Sequence, residues 1–101
     1  MAKNKFMSLM GICQKAGRLV SGEFACENAV KAKKAKLIVI AEDASENTKK
    51  KFGNSAKFYN INLICAGSKD ELGKVIGRGA RSVVAITDEG FAAELVKVFN
   101  S

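Results

Sequence analysis

A chain of 101 residues with 48% apolar side chains can bury a single core and is too apolar to remain disordered. It has no histidine, which removes the commonest general base and zinc ligand, and its net charge of +7 directs attention to polyanionic partners. That charge is uneven: residues 1–87 carry 16 basic and 7 acidic side chains, a balance of +9, whereas Asp88, Glu89 and Glu94 face only Lys97 beyond them, a balance of −2. One domain is expected over residues 1–101, with RNA or DNA the leading partner.

Phe6, Leu9, Met10 and Cys13 recur at i, i+3, i+4 and i+7, the spacing of one helix face, with Gly17 as its C-terminal stop. That period explains the apolar stretch after Lys3 and Lys5 better than a signal peptide does. Leu19-Val20 reads as a brief strand. Ser21 suits the N-cap of a second helix, with Glu23 in its first turn and Cys26, Ala29 and Val30 inside. A basic turn (Lys31, Lys33, Lys34, Lys36) leads to Leu37-Ile38-Val39-Ile40-Ala41, too short for a membrane span and suited to a strand buried on both faces.

Ser45 can cap a third helix through Lys51, which Gly53-Asn54 is expected to break. Its run Lys49-Lys50-Lys51 reads first as a solvated face. Asn60 to Cys65 forms the next strand. Ser68-Lys69-Asp70-Glu71 is a capping box opening a fourth helix that carries Leu72, Val75 and Ile76 inward and stops at Gly77. Val83-Val84-Ala85-Ile86 is a last buried strand, and Asp88 caps a final helix with Phe91, Leu95, Val98 and Phe99 on one face. Strands alternating with helices predict an α/β fold: a three-layer α/β/α sandwich around a small mixed, mainly parallel four-stranded sheet.

The chemical motifs are sparse. Gly73-Lys74 fails as a phosphate loop because Ser68 and Val75 stand where glycine and Ser or Thr are needed. Gly77-Arg78-Gly79 is too short for a dinucleotide fingerprint, yet it makes a flexible loop whose Arg78 and Arg81 suit phosphates; a plain helix-to-strand turn is the competing reading. In Glu42-Asp43, Asp43 is read as a turn or cap residue and Glu42 as the partner of a nearby lysine. Cys13, Cys26 and Cys65 are odd in number, far apart and at apolar positions, so buried, reduced thiols are expected at all three. Phe24 lies off the inner face of its helix, either as an exposed stacking platform for a base or buried against the first helix.

Gly22 before a helix, followed by Ala35-Lys36-Leu37-Ile38-Val39-Ile40-Ala41-Glu42-Asp43, resembles the signature of the L7Ae ribosomal protein family. Ser68-Lys69, Leu72-Gly73-Lys74, Gly77 and Val84-Ala85-Ile86 extend the match, and Asp88-Glu89-Gly90-Phe91-Ala92 resembles a bacterial branch of it. The resemblance implies an α/β/α sandwich and binding of kink-turn RNA. The family's RNA-reading helix begins G-x-N-E-x-x-K; here Gly22 is kept, but Phe24, Ala25 and Asn28 replace the Asn, Glu and Lys. The second RNA loop, aliphatic in the family, is Arg78-Gly79-Ala80-Arg81 and one residue shorter. RNA binding therefore carries over further than kink-turn recognition does.

The expectation is a cytoplasmic, monomeric, non-enzymatic RNA-binding protein related to ribosomal proteins, with the ribosome a candidate partner and no membrane, metal, cofactor or catalytic residue involved. The binding face would join the start of the second helix (Gly22, Glu23, Phe24, Asn28) to the loop Arg78, Gly79 and Arg81, with Lys15, Arg18, Lys31 and Lys34 on phosphates. The alternative is a protein–protein adaptor of ribosome or translation factors that uses the acidic last helix.

Overall fold

The computed structural model describes residues 3–101. The order of elements is α1 (Lys3–Lys15), β1 (Leu19–Ser21), α2 (Glu23–Lys31), β2 (Leu37–Ile40), α3 (Glu46–Tyr59), β3 (Asn62–Cys65), α4 (Lys69–Val75), β4 (Val83–Ile86) and α5 (Glu89–Phe99). The strands form one mixed sheet in the order β1-β4-β2-β3. α2 and α3 cover β1–β4 and β2–β3, while α1 packs with α4 and α5 in the other layer. β2 and β4 are buried along their whole length, as their unbroken apolar runs require.

The sheet is not mainly parallel. β2–β3 is the one parallel pair; β1–β4 and β4–β2 are antiparallel. The reason lies in the connection between β3 and β4. α3 spans 14 residues, about 21 Å of helix, and returns the chain to the far end of the sheet. α4 has only seven residues, and a loop of similar length follows it. That loop doubles back along α4, where the Arg81 N–H donates to the Lys69 carbonyl (3.0 Å). The chain so enters β4 at the end where it left β3, with Val83 beside Ile40.

α3 runs through Gly53-Asn54 instead of stopping there. A helical glycine costs about 1 kcal/mol. Full burial of Phe52 contributes about 1.5–3 kcal/mol, and Thr48 and Ala56 are buried on the same face, so packing outweighs propensity. The helix closes at Asn60, which adopts the left-handed conformation (φ 56, ψ 51) while the Ile61 N–H donates to the Ala56 carbonyl (2.8 Å).

Caps read from the sequence are present at three helices. Ser45 Oγ accepts from Thr48 N, Asp88 Oδ2 accepts from Phe91 N, and Ser68 and Glu71 form the reciprocal capping box. Asp43 caps as expected but across the fold: its Oδ1 accepts from Lys69 N at 2.8 Å, at the start of α4. Glu42 has no lysine at ion-pair distance among the described residues. Lys3 takes Glu71 instead (2.8 Å), and that hydrogen bond holds the Glu71 carboxyl below its ordinary pKa.

The cysteines divide two to one. Cys13 and Cys26 are buried; desolvation pushes the Cys13 thiol up to about 11 and the Cys26 thiol up to about 12, with Asp88 and Glu23 adding smaller upward pushes. Cys65 is exposed, contrary to its apolar context in the sequence, because β3 is an edge strand on which only Ile64 is buried. Titration of the native protein with a disulfide reagent should therefore show one fast thiol, lost in Cys65→Ser, and two that react only on unfolding. Fast reaction of a second thiol would show that the α1 or α2 face opens readily.

Candidate nucleic-acid interface

The start of α2 and the loop after α4 meet at one end of the sheet. Ser21 lies opposite Val84, and the Gly22 N–H donates to the Val83 carbonyl (2.9 Å). Arg81 closes the junction: its Nε donates to Ser21 Oγ (3.1 Å) and its Nη1 to the Gly79 and Ala80 carbonyls (3.2 and 3.1 Å). Ser21, Gly22, Glu23, Ala80, Arg81 and Ser82 line an open depression of about 360 Å³.

The loop is fastened to α4 from below. The Arg78 N–H donates to the Gly73 carbonyl (2.7 Å), and a Cβ at Gly73 would run into the Gly79 carbonyl. Gly73 is thus the seat of the loop, not the remnant of a phosphate-binding motif. Arg78 is exposed and its side chain makes no hydrogen bond or ion pair among the described residues.

α2 opens on Gly22 at φ 91, ψ 156, a conformation that favours glycine, and not on Ser21. Ser21 is the last residue of β1, where its hydroxyl serves Arg81. No side chain among the described residues caps α2, so its first N–H groups and the positive end of its dipole are left without a side-chain partner beside the arginine loop. Such an end is suited to a phosphate or another anion. Phe24 is 78% exposed, which settles its two readings in favour of an open aromatic face. Asn28 follows one turn later on the same exposed side.

Glu23 borders the depression, but its carboxylate accepts from Thr48 Oγ1 (3.3 Å) and pairs with Lys51 (3.7 Å), which also holds Glu27 (2.7 Å), so that carboxylate is spent on tying α2 to α3. Lys15, Arg18, Lys31 and Lys34 are exposed but gather at the opposite end of the sheet. There the Arg18 carbonyl accepts from Thr87 N and the Lys36 N–H donates to the Ile86 carbonyl, both beyond the far end of β4. The expected face is accordingly two poles joined by the outer side of α2. Ser21 and Ser82 were missed as site residues because the Arg81–Ser21 contact spans 60 residues and leaves no local signal.

Among the described residues no group of three His, Cys, Asp or Glu side chains is gathered to hold a metal, and no helix is long and apolar enough to cross a membrane.

Comparison with known proteins agrees with this architecture. The chain is 36% identical over 100 residues to a Bacillus subtilis (strain 168) protein named RNA-binding protein YlxQ, covering 99% of this chain and 100% of that one. It is 38% identical over 90 residues to an Enterococcus faecium protein of the same name, covering 89% and 86%. Among solved structures, a Bacillus halodurans protein of unknown function superposes with a TM-score of 0.93 at 31% identity, covering 96% of this chain and 98% of that one. A Giardia lamblia 15.5kD RNA binding protein shares the fold, with a TM-score of 0.78 at 20% identity over 93% and 83%. A sequence model of the Ribosomal protein L7Ae/L30e/S12e/Gadd45 family matches residues 4–96, and the chain belongs to that family.

Proposed function

We propose that this chain is a non-enzymatic, cytosolic RNA-binding domain that seats structured RNA at the Gly22–Arg81 pole. The observation that carries the reading is the uncapped start of α2 set beside an arginine loop and the exposed Phe24 ring. The N–H groups and Arg78 would hold phosphates, which fix position, while Phe24 and Asn28 would touch bases. The RNA-binding names of the two bacterial relatives support it.

The test is a binding titration with a labelled RNA hairpin. Arg78→Gln should weaken binding roughly tenfold through loss of a charge-assisted contact. Arg81→Lys should also weaken it despite keeping the charge, because the planar fork that bridges Ser21 and the loop carbonyls is lost. Absence of hairpin binding at low salt would favour a protein adaptor instead.

A further inference from the structure

Phe58, in the last turn of α3, is 82% exposed, more than any other large apolar side chain among the described residues. It belongs neither to the core nor to the Gly22–Arg81 pole. Tyr59 meets it edge-to-face (centroids 4.9 Å apart, planes at 74°) and is itself packed on the core, so the Phe58 ring is steadied from behind. The two rings, with Lys33, Lys36 and Asn60, line a groove of about 590 Å³, within the range of ligand clefts. Lys57 adjoins Phe58 and is exposed. Glu89 is the one acidic side chain in the lining, 3.9 Å from Lys36.

An open aromatic ring among lysines is an unusual composition for a protein-binding patch, because such interfaces are depleted in lysine. It is the composition of single-strand nucleic-acid grooves, where rings stack on bases and cations follow the phosphates. Lys33 and Asn60 both hold left-handed backbone (φ 60 and 56), which fixes the turns on either side of the groove. The exposed stripe Phe24, Asn28 and Lys31 on α2, at i, i+4 and i+7, leads from the first pole to this one along a helix of about 14 Å.

We propose that the Phe58 groove is a second RNA site, taking a single strand that flanks the structured element held at the other pole. Phe58 stacks on a base, and Lys33 and Lys57 neutralise phosphates. The inference rests on RNA being the partner, but not on which residues seat the structured part.

Three labelled RNAs separate the two: an oligouridylate of about ten nucleotides, a blunt hairpin, and the same hairpin with a single-stranded tail. Phe58→Ala should weaken the oligouridylate and the tailed hairpin by roughly 5- to 150-fold, the worth of one stacked base, and leave the blunt hairpin unchanged. Arg78→Gln should weaken both hairpins and spare the oligouridylate. Lys33→Gln with Lys57→Gln, which leaves all core residues in place, should lower the salt dependence of oligouridylate binding. Unchanged oligouridylate binding by Phe58→Ala, or none by the parent at low salt, overturns the second site while the hairpin interface stands. Failure of the parent to bind any of the three RNAs removes the RNA reading itself.

Discussion

Affinity for structured RNA is expected to fall by roughly two to three orders of magnitude between about 50 and 200 mM salt. The body of the chain carries a balance of +9, but not all of it is available. Lys3, Lys36, Lys49 and Lys51 lie within 4.0 Å of carboxylates, whereas Lys15, Arg18, Lys31, Lys33, Lys34 and Arg78 have none at that distance among the described residues. About four to six neutralised phosphates, each releasing most of one counterion, give a log–log slope of roughly −3 to −5. Titration of a hairpin at four or five salt concentrations measures it directly. A flat dependence would defeat the polyanion reading, because neutralising phosphates must release counterions.

The second expected result concerns specificity. Unmodified, the chain should prefer a consensus kink-turn only weakly over a duplex of equal length. The resemblance to the family places the RNA-reading Asn, Glu and Lys at positions here held by Phe24, Ala25 and Asn28. A good bidentate base contact is worth roughly 1–3 kcal/mol of discrimination in DNA, and that scale is borrowed for RNA. Losing two or three contacts removes several orders of magnitude of selectivity, while the lysines and the α2 N–H groups keep the non-specific part. Glu23 does not replace the missing carboxylate, since it is tied to Thr48 and Lys51. Phe24→Asn, Ala25→Glu and Asn28→Lys together should raise the kink-turn preference; Phe24 and Asn28 are exposed and Ala25 half-buried, so the fold can carry all three. The measurement is a competition titration of parent and triple variant against both RNAs at matched salt. Tight, kink-selective binding by the parent would sink the argument from side chains, and would assign recognition to the Gly22 backbone and the Arg78–Arg81 loop reading shape.

The two proposed sites share α2, and its packing fits that use. Its inner residues Cys26, Ala29 and Val30 anchor it to the sheet, and Glu23 and Glu27 lock one flank to α3 through Lys51. Only the third side, from Phe24 to Lys31, is left open. A helix held on two sides has little backbone entropy left to lose on binding, which suits recognition of a rigid partner.

The sequence by itself determined what depends on local chemistry. Helical periods around Phe6 and Leu95, the caps at Ser45, Ser68 and Asp88, and the buried runs of β2 and β4 are properties of neighbouring residues, and each appears where its pattern placed it. Family membership was equally legible, because the spacing from Gly22 to Asp43 belongs to the chain and not to its folding. Tertiary structure decided what depends on residues distant along the chain. Burial of Phe52 carried α3 through Gly53, where local propensity would have ended it. The return of the α4–β4 loop set the direction of β4, which no residue in β4 encodes, and so made the sheet mostly antiparallel. The edge position of β3 exposed Cys65 despite its apolar neighbours. Likewise the lysines at the end of α2 and the arginines of the loop, expected on one binding face, were parted to opposite ends of the sheet, because β1 and α2 each run its length.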